Sequence, residues 1–228
     1  MKKVFSFSLY GSAEKYWHGM YKNIELIHQQ FPEWFIYIWI GEGVPEDVIL
    51  QLSDSKNVQL ISTNESGHIN MSYRFFSIDY PEVEIMCVRD ADSRITARDA
   101  ACIEDFVNSD KLFHIIRDHP NHHHCIMGGI WGVKKQFMNV NLQLVFKQWK
   151  QRNSATEFWN DMDFLRSTFY PHCIPHSMIH DELQQLEPQE YHTPFRIPLD
   201  NQKQHFIGQV YEFDSEGKEY PKYPYAKG

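Results

Sequence analysis

Glu84-Ile-Met-Cys-Val88 runs without a break into Arg89-Asp-Ala-Asp-Ser-Arg94. The first five residues predict a strand, and the next six a polar loop at its carboxyl end. The neighbouring segments turn this into a fold. Upstream, Lys3–Tyr10 alternates apolar residues with serines before Gly11, which reads as a strand ending in a turn. Glu14–Gln30 carries apolar or aromatic residues at 16, 17, 20, 21, 24 and 27, a helical spacing that Pro32 stops. Trp34–Ile40 is solidly apolar, like a strand covered on both faces. A short helix is expected from Pro45 to Leu52, a strand over Val58–Ser62 and a helix over Asn70–Ile78. Downstream, Thr96-Ala-Arg-Asp99 resembles a capping box and opens a helix to Asn108, followed by a strand over Leu112–Ile116. The order βαβαβαβαβ predicts an α/β fold with a mostly parallel sheet and helices on both faces. In such sheets ligands gather at the carboxyl ends of strands, where Tyr10-Gly11 and Asp90-Ala-Asp92 lie.

The second half is less regular. Gly128–Val133 reads as a glycine-rich turn, and helices are expected at 135–151 and 157–169. Prolines at 171, 175, 188, 194 and 198 mark loops. One domain over 1–215 is expected, with 216–228 a C-terminal tail or linker of the kind that joins a domain to a longer chain.

Hydrophobic residues at 42% and aromatics at 15% supply a packed core and exclude wholesale disorder. The longest apolar run, Trp34–Ile40, is far short of the ~20 residues that span a bilayer, so no membrane span is expected. The serines near the amino terminus break the apolar stretch that a signal peptide needs. A formal charge of −8 repels phosphate backbones and argues against nucleic acid as a partner. Four scattered cysteines with no C-x-x-C pair suggest a reducing, cytoplasmic compartment.

Asp90 and Asp92 suit a hard divalent cation that also binds substrate phosphates, an ion that offsets charge on a diphosphate leaving group. Arg89 and Arg94 flank the pair and are placed to meet phosphates or the aspartates themselves. A solvated Asx turn is the plain alternative. Arg74, in Tyr-Arg-Phe-Phe, needs a carboxylate or phosphate partner if it is buried.

A wider set of motifs resembles a known family. In order these are Phe7-Ser-Leu-Tyr-Gly11, Tyr16 to Gly19, Arg74, Arg89-Asp-Ala-Asp-Ser-Arg94, Arg117-Asp-His-Pro120, Gly128-Gly-Ile-Trp-Gly132 and Asp161-Met-Asp-Phe-Leu165. Together they resemble the GT-A nucleotide-sugar glycosyltransferases, from about residue 4 to 211. Within that family they resemble a group of small viral and bacterial members, among them the N-terminal glycosyltransferase domain of a multidomain chlorella-virus protein. The resemblance implies a single GT-A domain and a metal-dependent transferase. Such an enzyme moves a sugar, most simply from a UDP-sugar, to a glycan or other hydroxyl acceptor, with retention slightly favoured over inversion. It implies Mn²⁺ or Mg²⁺ as cofactor. It also suggests a virus-encoded protein in host cytoplasm.

Residue by residue, Ser8, Leu9, Tyr10 and Gly11 match the nucleotide-binding edge. Arg74, Arg89, Asp90, Ala91 and Asp92 match the diphosphate and metal region, with Asp92 as the direct metal ligand and Asp90 contacting the ribose or the metal. Gly128 and Gly129 match the small-residue segment beside the donor sugar. Asp161 and Asp163 resemble a D-Q-D segment with a catalytic or sugar-orienting role, Met162 replacing the glutamine. A third metal ligand is expected from His180 or from His205, whose His205-Phe-Ile-Gly208 resembles an H-F-x-G motif without the K-P-W that follows it. An inverting enzyme needs a base, for which Asp118, Asp161 and Asp163 are the candidates.

Eight of thirteen histidines fall within 114–124 and 172–180. Adjacent loop residues rarely converge on one ion, so a polar loop near the acceptor is favoured over zinc. Pro171 and Pro175 argue against aligning His172, His176 and His180 on one helix. Trp131 reads equally as core or as a sugar-stacking surface, and Arg117-Asp118 as a structural ion pair or an acceptor contact. A non-catalytic nucleotide-sugar or glycan-binding module is the rival to a transferase, and a zinc hydrolase the third reading.

Overall fold

The computed structural model describes residues 1–153, 160–199 and 205–222. Its first six strands are β1 (Lys2–Leu9), β2 (Phe35–Ile40), β3 (Val58–Ser62), β4 (Val83–Arg89), β5 (Phe113–Arg117) and β6 (Ile130–Lys134). With β7 (Ser177–Asp181) and β8 (His192–Thr193) they form one sheet in the order β3-β2-β1-β4-β6-β5-β7-β8. All neighbours are parallel except β6, which is antiparallel to β4 and β5.

Helices α1 (Glu14–Gln30), α2 (Glu46–Ser53) and α4 (Ala97–Asn108) pack one face through Met20, Ile24, Ile27, Val48, Leu52, Ile103 and Phe106. Between them in the chain, α3 (Asn70–Tyr73) continues into a 3-10 turn, Arg74–Asp79. That turn, α5 (Leu142–Arg152) and α6 (Asn160–Thr168) cover the other face through Phe75, Phe76, Phe146, Phe164 and Leu165. Side chains alternate as the pleat requires: Phe5, Phe7 and Leu9 meet the first group, and Val4 the second.

The serines between them are also buried. Ser6 donates to the Arg74 carbonyl, and Ser8 accepts from the Arg74 amide at 3.1 Å. Their role is to satisfy the backbone of the turn that carries Arg74. Thr96 caps α4 as its sequence predicts, accepting from the Asp99 amide at 3.1 Å. Asp99 does not reach back to complete the box, because Arg89 takes its carboxylate.

Two expectations change. The glycine-rich 128–133 segment turns only at Gly128-Gly129, where the Ile130 amide donates to the Met127 carbonyl, and then continues as β6, inserted between β4 and β5. The single helix over 135–151 is a 3-10 turn at Lys135–Phe137 followed by α5. Part of the helix expected at 157–169 lies outside the described residues. Two further strands, β9 (Tyr211–Phe213) and β10 (Glu219–Pro221), pair as a hairpin. The boundary expected at 215/216 therefore cuts a hairpin that an Arg94–Glu219 ion pair ties to the loop after β4. Among the described residues no helix is long and apolar enough to cross a membrane.

Candidate active site

β1 lies where the strand order reverses: β2 and β3 follow on one side, β4 on the other. The crevice outside β1 and β4 is where such a sheet binds ligands. It holds two contiguous cavities that share Tyr10, Tyr16, His68, Met71, Arg74 and Asp90. One, about 470 Å³, is walled by Ser8, Gly11, Ser12, Ala13, Ala91 and Asp92. The other, about 340 Å³, is walled by His122, Met127, Gly128, Gly129, Asp161, Met162 and Gly208.

Antiparallel pairing of β6 creates the second cavity. Arg89 pairs with Ile130, so the residues after β4 face those before β6. Asp90 thus meets Gly129, and a methyl group there would strike the Asp90 carboxylate. A methyl on Gly128 would come within 2.5 Å of Asp161 Oδ2. The two glycines make room for carboxylates, a more specific role than the expected clearance for a sugar.

Arg74 joins these carboxylates. It is buried, pairs with Asp90 through Nη1 and lies 3.2 Å from Asp161 Oδ2 through Nη2. One guanidinium so orients two acids brought together from distant parts of the chain. Asp92 lies beside them, and burial, then the negative charge of Asp90, pushes its carboxyl up to about 6. Burial also raises Asp161, against the pull of Arg74. Tyr10 is raised to about 12 by burial and stays a neutral phenol at physiological pH.

The loop bearing Asp90 and Asp92 is held by α1. Gly19 lets the helix approach the Ala91 carbonyl, where any side chain would clash. Asn23 donates to the carbonyls of Ala91 (3.3 Å) and Ser93 (2.9 Å) and accepts from the Ile95 amide (3.2 Å). Sequence reading missed Asn23, although an asparagine on the helix's apolar stripe, next to Ile24, was a visible signal. It also missed Tyr16, His68, Met71 and Gly208 as cavity residues. His122 accepts the Asp118 amide at Nδ1 (3.1 Å), and burial lowers it to about 3, so it is neutral with its proton on Nε2.

Other candidates sit elsewhere. Arg89 is 1% exposed and spends its guanidinium on Asp99 and the carbonyls of Val88 and Trp131, not on a ligand. Leu9 is core, 1% exposed. Asp163 is exposed on α6, outside the cavities, while Met162 lines one. Trp131 is core, stacked on Phe113. Asp118 holds Arg98 with both oxygens and accepts the Ile207 amide, leaving no free base. Arg117 is buried between Asp181 and Glu187.

His180 is fully buried, with Nδ1 2.9 Å from His114 Nε2 and Nε2 3.4 Å from Asp105 on α4. These partners keep it in the core, away from Asp92. His205 stacks on Tyr211 and bonds its hydroxyl at 2.8 Å, and the Tyr211 amide donates to the Asp92 carbonyl. Of the two histidines, His205 is therefore on the segment tied to the aspartates. Among the described residues no three His, Cys, Asp or Glu side chains converge to hold a metal ion. Asp90 and Asp92 by themselves fit one: both border the larger cavity, and an ion of the Mg²⁺ or Mn²⁺ type takes one or two carboxylates and completes its shell with water and phosphate.

No protein-family model and no curated protein sequence matches the chain. Solved structures do. The apo-form glycosyltransferase GlyE of Streptococcus pneumoniae TIGR4 covers 78% of this chain and 45% of its own, with TM-score 0.53 and 14% identity. TarS of S. aureus covers 80% and 59%, with TM-score 0.50 and 12% identity. A glycosyltransferase involved in glycosylation of the major capsid of PBCV-1 covers 78% and 81%, with 16% identity and TM-score 0.48. The chain spans about half the length of GlyE. The likeness establishes the fold, which is the GT-A fold.

Proposed function

We propose that the chain is a metal-dependent glycosyltransferase that takes a nucleotide sugar, a UDP-sugar, across the crevice between β1 and β4. One observation carries this: Asp90, Asp92 and Asp161, with Arg74 between two of them, border a two-part cleft at the switch point of a GT-A sheet. Each part is within the range of small-ligand sites, about 300–1,000 Å³.

The larger part accepts the nucleoside at Ser8, Tyr10 and Gly11. The smaller accepts the sugar beside Gly128, Gly129 and Asp161. Asp90 and Asp92 hold the divalent ion, which when bound offsets charge on the departing diphosphate. Arg74 fixes Asp90 in register with Asp161. Asp161 accepts hydrogen bonds from hydroxyls of the sugar and offsets positive charge building on its ring. The acceptor hydroxyl enters the smaller part, which His122 and Met162 border. Of the three carboxylates that could serve an inverting enzyme as base, Asp161 borders the cleft, while Asp118 and Asp163 are outside this arrangement.

A second reading, a nucleotide-sugar-binding module without turnover, draws on the apolar Met162 at the sugar wall. Nucleotide sugars incubated with the full chain and Mn²⁺ or Mg²⁺ test both readings. A transferase releases sugar slowly to water, and Asp92→Asn stops it. Binding with no hydrolysis or transfer across the panel selects the module.

A further inference from the structure

Lys15, in the first turn of α1, sits between two carboxylates. Its Nζ is 3.1 Å from Glu212 Oε1 on β9 and 3.6 Å from Asp92 Oδ2. It also lies 4.8 Å from the ring centroid of Tyr16, which borders both cavities. The chain just before it, Gly11-Ser12-Ala13, walls the larger cavity. α1 begins with no side chain capping its first amides.

The charges around the cleft are unevenly held. Arg74 is buried and locked between Asp90 and Asp161. Lys15 is different: its side chain is 24% exposed and is a point charge on a flexible four-carbon stem. Among the described residues it is the cation paired with Asp92. A divalent ion on Asp92 cannot share that carboxylate closely with an ammonium, because like charges in a half-buried cleft repel strongly. On the nucleotide-sugar reading, a diphosphate bound at that ion would be a new anion beside Asp92, the carboxylate Lys15 now pairs with.

We propose that Lys15 is a resident counter-cation: it neutralises Asp92 in the ligand-free chain and moves to the diphosphate when a divalent ion takes Asp92. This rests on the nucleotide-sugar reading and adds a diphosphate-binding residue to it. Lys15 then has two opposite effects. It competes with the metal while the cleft is empty, and it strengthens nucleotide binding once the metal is in place.

The test uses Mn²⁺ alone and UDP as probes on the full chain, with Lys15→Met, Lys15→Arg, Glu212→Gln and Asp92→Asn. Mn²⁺ binding without nucleotide is read by electron paramagnetic resonance, and UDP binding at saturating Mn²⁺ by calorimetry. Lys15→Met should tighten nucleotide-free Mn²⁺ binding several-fold and weaken UDP about tenfold. Lys15→Arg should stay within about twofold of the parent in both, because it keeps the charge. Glu212→Gln breaks the tie between α1 and the hairpin but keeps the lysine charge, so UDP affinity should hold within about twofold. If Lys15→Met changes neither affinity while Asp92→Asn loses Mn²⁺, the lysine inference falls and the site reading stands. If Glu212→Gln reproduces the loss of UDP binding, Lys15 is only a structural tie, and the inference also falls. A parent that binds neither Mn²⁺ nor UDP overturns the site reading and this inference together.

Discussion

Arg89-Asp90 and Arg117-Asp118 are the same dipeptide at the same edge of the same sheet, at the carboxyl ends of β4 and β5. Their fates are opposite. At β5 both residues are buried and saturated: Arg117 by Asp181 and Glu187, Asp118 by Arg98 and the Ile207 amide. At β4 the arginine is saturated by Asp99, but the Asp90 side chain is 40% exposed and opens on a cleft. The difference lies in what stands opposite. Gly129 leaves space beside Asp90, whereas the 206–207 segment closes over Asp118. An aspartate after a strand stays open to a ligand when its partners are too few to use it up and small residues keep its neighbourhood open.

The sharpest way to break this comparison is Asp92→Asn. It should cut metal-dependent turnover about 10³-fold, roughly 4 kcal/mol, while the chain stays folded. The same change should raise the melting temperature at pH 7. The carboxyl titrates near 6 in the folded chain, above its unfolded value of about 3.9. Its ionised form therefore destabilises the fold, a cost fully present above about pH 6 and relieved as pH falls toward 4. A lower melting temperature, or activity close to the parent's, contradicts the assignment.

Arg117→Met should do the reverse. Losing one partner of a buried ion-pair network costs about 3–5 kcal/mol, a fall of about 10 °C in a chain of this size. The residual folded fraction should bind UDP as the parent does. Specific loss of UDP binding at unchanged melting temperature would place Arg117 in the site.

The glycines sharpen the comparison on a smaller scale. Gly129→Ala presses on Asp90 and should weaken Mn²⁺–UDP binding about tenfold along with sugar turnover. Gly128→Ala presses on Asp161 and should lower turnover about as much while sparing UDP affinity. Calorimetry of UDP beside turnover of a UDP-sugar separates the two, and identical profiles for both variants would return the pair to a purely structural role. Smallest is the effect of acid. Mn²⁺ affinity of the nucleotide-free chain should fall no more than about tenfold per pH unit below 6, as Asp92 takes up its proton. A flat profile down to pH 5 points to a different ligand.

Most of the sheet was legible because the apolar runs of β1, β2 and β4 and the helical spacing of Glu14–Gln30 are local signals. β6 was not, since Gly128-Gly129 reads locally as a turn and only pairing with β4 makes its continuation a strand. That one omission also hid why Gly129 faces Asp90. The aspartates and Arg74 were visible as residue types, yet the Arg74 bridge between Asp90 and Asp161 spans distant parts of the chain and has no spacing to read. His180 misled for a related reason: its burial comes from His114, Asp105 and Phe195, which no motif around it announces. The hairpin of β9 and β10 was hidden by a tyrosine- and proline-rich sequence that looks like a linker.

Calorimetric titration of UDP into the parent and Asp92→Asn chains, each with saturating Mn²⁺ and again with EDTA, tests the site most directly. The parent should give saturable one-to-one binding in Mn²⁺ that EDTA abolishes, and Asp92→Asn should give none in either condition while melting no lower than the parent. Equal binding by both chains, or binding indifferent to EDTA, would contradict a metal-assisted nucleotide site at the end of β4.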